Sequence, residues 1–418
     1  MCKVIIVGGG AAGMLAGIAA AQQGAKVIIF EKMPNIGRKL LITGKGRCNI
    51  TNDCTTQELI KQLPGNGRFL YGAFSQFSNI DMVELLESHG LKTKVERGGR
   101  VFPVSDRAMD VVDKLREIFN LAGGKILTKK TVQEILVLDG KAIGVRCTDK
   151  SSELADAVVL ATGGASYPGT GSTGDGYHMA EALGHTIVPL KPSLVPLECE
   201  MDYISTLQGL SLRNVTASIV YKNEVLGHEF GEMLFTHFGV SGPIILSLSK
   251  VVAQAKKDGK YPLDLFIDLK PALSLEKLDA RVQRDFALYS RKKLANGLKD
   301  LLPSSLIPVI IDAACLQQDQ DINQITKEQR KKFVETIKNF SVPIVGTRPL
   351  SEAIVTAGGV STKEINPKTL ESKLVKALFL AGEVIDVDGF TGGYNLQAAF
   401  SSGFAAGTAA ATISKNEV

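Results

Sequence analysis

The chain has 418 residues, 44% of them hydrophobic and 22% charged, which is too apolar for a disordered protein and too long for one simple core. A net charge of +5 is too small to make the whole surface a polyanion trap, and with no tryptophan and only 6% aromatic residues a stacking platform for single-stranded bases is not expected. No apolar stretch reaches the roughly 18 residues that a membrane-spanning helix needs, and the N-terminus lacks a cleavable leader pattern, so a cytoplasmic protein is expected.

In chain order, a β-rich run at 4–7 passes through a glycine turn into an alanine-rich helix at 11–23 and a second apolar run at 26–30. Strands are expected at 125–127, 135–138, 142–146 and 157–161, and helices at 80–88, 108–122 and 176–183. Asp139-Gly140 makes 135–146 a hairpin. This alternation predicts a doubly wound α/β sheet. Pro189, Pro192 and Pro196 then break the pattern, and runs at 215–221 and 263–268 predict a second, mostly β domain. Between Ser274 and about Asn339 apolar residues recur at helical spacing, as at Leu275, Leu278 and Val282, with Ser274 an acceptable N-cap. The end of the chain returns to α/β character, with a strand at 377–381 and a small-residue helix at 396–412. The expected division is 1–190 with 355–418 for the α/β domain, 191–273 with 340–354 for the β domain, and 274–339 for a helical domain.

The segment VIIVGGGAAG followed by Glu31 is a dinucleotide-binding βαβ pattern. Gly8 makes the tight turn, Gly10 lets a pyrophosphate approach the backbone, and Gly13 lets the helix that begins at Ala11-Ala12 pack closely on the sheet. The helix N-terminus then offers free N–H groups to the anion, while Glu31, with Lys32 beside it, can accept the ribose hydroxyls of an adenosine. This much leaves NAD and FAD both open.

Further segments point to FAD. The strand ending in Ala161-Thr162-Gly163 resembles the one that closes over the cofactor in two-dinucleotide flavoproteins, a resemblance that also brings the backbone at Val132 to the adenine. In LFLAGEVIDVDG, Gly382 permits close backbone approach and Glu383 can meet the ribityl or pyrophosphate region through its backbone or a water. In GGYNLQAA, a helix opening after Gly393 directs the N–H groups of Tyr394, Asn395 and Leu396 at the pyrimidine edge of a flavin, where a helix dipole favours the reduced, anionic form. The segment IGRKLLITGKGRCNITN, with Arg38, Lys39, Gly44, Lys45, Arg47, Cys48 and Asn49, reads as a loop wrapping the isoalloxazine and phosphates.

Together with GRVFP, TGDGY, PSLVPL, LFTHFGVSGP and TAGGV, these motifs make the chain resemble a family of three-domain bacterial FAD-dependent oxidoreductases that includes aminoacetone oxidase. The resemblance implies a Rossmann-like FAD domain of the glutathione-reductase type built from both chain ends, a β domain over the flavin and a helical domain beyond. FAD is expected to be noncovalent. A second GxGxxG and a redox CxxC are missing, and the six cysteines show no metal-ligand spacing, so no metal is expected. The favoured activity is oxidation of a small amine or amino ketone with O2 as acceptor, giving H2O2, with Arg47, Lys45, His237 and Tyr394 as candidate catalytic residues. His237, between Phe235 and Phe238, is expected in a buried setting. An NAD(P)H-dependent reductase of an enone is the alternative, with NAD(P)H a transient donor. An RNA-associated flavoprotein using Arg291 to Lys293 and Arg330 to Lys332 is the reading of another class. A solvated helix face accounts for those clusters better, so the expected partners are a small substrate and O2 rather than nucleic acid or membrane, on a monomer or homodimer.

Overall fold

The computed structural model describes residues 1–413, which divide into two compact units, one of Met1–Ser193 with Leu350 onward and one of Leu194–Pro349. The first unit is built on five parallel strands: β1 (Lys3–Val7), β2 (Lys26–Glu31), β3 (Lys125–Thr128), β4 (Ala157–Leu160) and β5 (Leu378–Leu380), in the spatial order β5-β4-β1-β2-β3. Val4, Ile5 and Ile6 of β1 are wholly buried, as a sheet covered on both faces requires. β1 pairs with β2 on one side and β4 on the other, so the strand order reverses about β1 and a crevice opens at its C-terminal end.

Two helices make the centre of this unit, α1 (Ala11–Gln22) and α2 (Tyr394–Thr412). Neither has a polar face, and α1 is buried from Ala12 to Ala21. The reason is a backbone-to-backbone crossing. A Cβ on Gly403 would lie 2.2 Å from the Ala12 carbonyl oxygen, and one on Gly407 would lie 2.1 Å from that of Ala16. The small residues that gave the C-terminal segment its character are the ones that let α2 lie directly on α1.

The hairpin forms as Val132–Leu138 and Lys141–Cys147, with both Asp139 and Gly140 at positive φ. The segment 36–52, expected as a loop, is instead folded. It forms a short helix Arg38–Ile42, a tight turn Thr43–Gly46 and a two-residue strand Thr51–Asn52, pinned by the buried Leu40, Cys48 and Ile50. Thr51–Asn52 joins Arg100–Pro103 and Thr93–Glu96 in a small sheet, too short a strand to leave a periodicity. The strands Ile187–Ser193 and Val355–Val360 pair antiparallel at the place where the chain leaves this unit and returns to it.

The second unit is a closed six-stranded barrel, in the order Leu197–Cys199, Gly239–Ser241, Glu224–Thr236, Ser211–Tyr221, Leu263–Asp268 and Phe340–Thr347. A helix absent from the sequence reading, Pro243–Lys257, packs on it. Residues 274–339 are inserted between the last two strands as helices that include Leu275–Leu288, Ile307–Ala313 and Lys327–Lys338, and the Ser274 hydroxyl accepts from the Lys277 N–H at 3.3 Å. Leu278, Val282, Phe333 and Ile337 belong to the same apolar core as Ile219, Leu265 and Val342 of the barrel, so the helical segment has no core of its own. Among the described residues no helix is long and apolar enough to cross a membrane.

Candidate functional site

The turn between β1 and α1 shows which glycines serve the protein and which face open space. Gly8 has φ +106° and a Cβ there would lie 2.5 Å from the Ala161 carbonyl oxygen; a Cβ on Gly13 would lie 1.9 Å from that of Gly8. At Gly10 a Cβ would meet nothing within 4 Å. The bare backbone at Gly10 therefore borders free room at the uncapped N-terminus of α1, where no side chain covers the N–H groups of Ala11, Ala12 and Gly13. That is the arrangement an anion needs. Arg38, next to the Gly37 that donates its N–H to the Gly9 carbonyl, gives one guanidinium N–H to the Gly169 carbonyl at 3.2 Å, while its Nε is shielded from solvent and lacks a partner.

Glu31 closes β2 and holds the turn in place. One carboxylate oxygen accepts from the Gly9 N–H at 2.8 Å and the other from the Met33 N–H at 2.7 Å. Each oxygen keeps a lone pair for a ribose hydroxyl, so the residue shapes the turn and can still bind. A cavity beside it is walled by Val7, Phe30, Val132 and Met179 and edged by Gly8, Glu31, Lys130 and Thr162. Its apolar walls and polar rim fit an adenosine, and the Thr162 hydroxyl is buried there without a partner. Lys32 lines the same cavity and pairs with Asp175 at 2.6 Å. Burial disfavours the Asp175 charge, but hydrogen bonds from Lys32 and Thr173 hold its carboxyl below the usual range. Lys130, Asp175 and Met179 were not singled out from the sequence; the TGDG turn that delivers Asp175 was the available signal.

On the facing segments, Ala161 is buried with its N–H on the Val7 carbonyl at 2.9 Å, and Gly163 has φ +77°. Gly382, at φ +75°, would put a Cβ 2.7 Å from that of Ala12. α2 starts two residues earlier than expected, and no side chain caps it. Gly393 at φ +98° abuts Thr51, where a Cβ would lie 2.4 Å from the carbonyl oxygen, and this fixes the helix start against the small sheet. In the amide orientation that satisfies both its ends, Asn49 accepts from the Gly393 N–H at 3.0 Å and donates to Thr51 and Val101. The Asn395 side chain holds Gly389 and Phe390, leaving its backbone N–H as its only contribution to a ligand, and Leu396 packs on the core.

The candidate catalytic residues are dispersed. Arg47, a candidate catalytic residue, is engaged by Glu96 and by Asp106, and its guanidinium lies 4.1 Å from the Phe102 ring centre. Hydrogen bonding to Glu96 and Asp106 raises its pKa, which keeps it charged. Lys45 is exposed, in the left-handed conformation with φ 61°, next to Gly44, where a Cβ would lie 2.8 Å from the Asn49 backbone nitrogen. Burial pushes the Cys48 thiol up to about 12, so it is no nucleophile at neutral pH. Tyr394 is half-buried, and burial raises its phenol, with Cys54 and Glu58 adding to the effect. His237 belongs to the other unit and is exposed; only Phe235 of its two aromatic neighbours is fully buried, while Phe238 lies edge-on to the imidazole at 5.0 Å. The expectation of a buried histidine fails because strand alternation puts Phe235 inward and residue 237 past the strand end, in the turn.

Residues 2–409 match the family described as "HI0933-like protein Rossmann domain". The chain is 33% identical to a 3-dehydro-bile acid delta(4,6)-reductase of Clostridium scindens over 413 residues, covering 98% of this chain and 99% of that one. It is 32% identical to a ribosomal RNA dihydrouridine synthase of Haemophilus influenzae over 406 residues, 96% of each. Among solved structures, a 3-ketosteroid delta1-dehydrogenase from Sterolibacterium denitrificans superposes with a TM-score of 0.56 at 13% identity, over 99% of this chain and 100% of that chain, a likeness of fold.

Proposed function

The chain belongs to the HI0933-like family of FAD-dependent oxidoreductases, and on that premise we propose that it reduces a carbon–carbon double bond conjugated to a carbonyl, with NAD(P)H as hydride source. The observation that carries this reading is the chemistry shared by two relatives of about one-third identity across nearly their whole length. A delta(4,6) unsaturated 3-oxo steroid and the C5=C6 bond of uracil are both alkenes polarised by a carbonyl, and both names denote saturation of that alkene. The amine-oxidase expectation becomes the competing outcome.

FAD, when bound, supplies the hydride-transferring group. The first turn of α1 would hold its diphosphate, Glu31 and the cavity at Val132 its adenosine, and the N–H groups of Tyr394, Asn395 and Leu396 its pyrimidine edge. An uncapped helix N-terminus at that edge favours negative charge, which suits an enzyme that must hold reducing equivalents until an acceptor arrives.

Anaerobic mixing tests the reading. NADPH should bleach the flavin absorbance, and a 4,6-dien-3-one steroid or a uridine-containing ribosomal RNA fragment should restore it. Bleaching by aminoacetone but not by NADPH would replace the reductase with the oxidase. Restoration by RNA but not by steroid would place the double bond in a nucleic acid, the acceptor that the relative of Haemophilus influenzae favours.

A further inference from the structure

We propose that the chain carries a further small-molecule site, apart from the glycine turn, which takes a small planar aromatic molecule bearing a hydroxyl. The site is a cavity of about 180 Å³ between the small sheet of Thr51–Asn52, Arg100–Pro103 and Thr93–Glu96 and the helix Asn79–Ser88. It is independent of which substrate the flavin reduces. Strand pairing sets Thr51 opposite Val101 and Val101 opposite Val95, so these three side chains leave the sheet on one face, the one that lines the cavity. Arg100 and Glu96 leave it on the other face, where Arg47 is engaged. Ile80 and Val83 of the helix complete the walls. A slot between sheet and helix, walled by branched apolar side chains, suits a flat ring. Ile80 and Val95 are 69% and 58% exposed, apolar surface that such a ligand would cover.

Two polar groups decide what the ring must carry. Thr51 is wholly buried, and its hydroxyl has no partner among the described residues. A hydroxyl buried in this way costs stability that a ligand oxygen would restore. Asn79, 5% exposed, spends its amide N–H groups on the Asn52 carbonyl at 2.8 Å and the Cys54 carbonyl at 3.0 Å, which leaves its side-chain oxygen as an acceptor. A donor and an acceptor lining one cavity match a ligand hydroxyl, which accepts from Thr51 and donates to Asn79. Asp53 also lines the cavity and is exposed, so a carboxylate or phosphate ligand would be repelled.

The test is calorimetric titration of the holoprotein with phenol and with toluene, which share a shape and differ in the hydroxyl. Phenol should bind saturably, with one site per chain. Thr51→Val keeps the shape of the side chain and removes its hydroxyl; it should weaken phenol about fivefold to tenfold and leave toluene within about twofold or tighter. Val83→Phe fills the cavity from the helix side and should abolish saturable binding of both. If that variant folds poorly, the Thr51→Val comparison still decides. Absence of saturable phenol binding, or phenol binding that survives Val83→Phe, would overturn the site. An equal change for phenol and toluene in Thr51→Val would overturn the class of ligand assigned to it.

Discussion

α1 and α2 of the cofactor-binding unit and the helices Leu275–Leu288 and Lys327–Lys338 of the barrel unit are buried by opposite means. The first pair meets along small residues, and the backbones touch through Gly403 and Gly407, while larger side chains such as Met14, Ile18 and Phe400 are buried as well. The second pair is amphipathic, with Leu278 and Val282 on one helix and Phe333 and Ile337 on the other turned to the core, and Leu288 left 71% exposed. Side-chain packing tolerates exchange because neighbouring side chains can move. Backbone packing has nothing that can yield, and it suits a unit that must hold two helix N-termini in fixed places.

The sharpest way to break this contrast is Gly407→Leu, which puts a side chain where the Ala16 carbonyl stands and should cost about 3 kcal/mol or more in urea unfolding. Leu288→Ala on the barrel unit should stay within about 0.5 kcal/mol, and a comparable loss there would erase the distinction. Next in size, Glu31→Ala leaves the Gly9 and Met33 N–H groups without their acceptor and should cost about 2 kcal/mol in the apoprotein, with a matching fall in FAD affinity. An unchanged apoprotein would limit Glu31 to ligand binding.

A smaller effect concerns acid. His185 is buried between Glu364 at 3.2 Å and the Ser372 hydroxyl at 2.9 Å. Ser372 already accepts from the Leu374 and Val375 N–H groups, so its own proton goes to His185 Nε2, and the neutral ring carries its proton on Nδ1 toward Glu364. Burial lowers the His185 pKa below 6.5, against the opposing pull of Glu364. The unfolded chain thus takes up the proton first. Stability from the neutral ring is complete above 6.5 and is lost as pH falls toward the folded value. Glu364, held below 4.5 by Thr186 and His185 although burial opposes it, loses its contribution in the same direction at lower pH. The melting temperature should fall from pH 7 to 5, less steeply in His185→Gln; equal slopes would remove His185 from the account. Smallest of all, Arg291→Glu with Lys292→Glu, both exposed on the barrel unit, should leave flavin bleaching by NADPH unchanged and shift stability by at most about 0.5 kcal/mol. If RNA is the acceptor, salt-sensitive RNA retention is where that pair would show an effect.

The α/β architecture, the glycine turn, Glu31, and the helix opening after Gly393 were all legible in the residues, because each depends on local rules: apolar runs for covered strands, glycine where no Cβ fits, an acid at the end of the second strand. The barrel was legible only as β texture, since strand pairing joins segments as distant as Leu197–Cys199 and Phe340–Thr347. Three things were decided by tertiary structure alone. Arg47 finds Glu96 and Asp106, Glu383 finds Lys39 across the chain, and Asn395 turns its side chain to Gly389. Periodicity and spacing report what a residue does to its own segment. Which charge meets which depends on where separate segments come to rest, and that is fixed by close packing around β1 and α1, not by anything written beside the residues themselves.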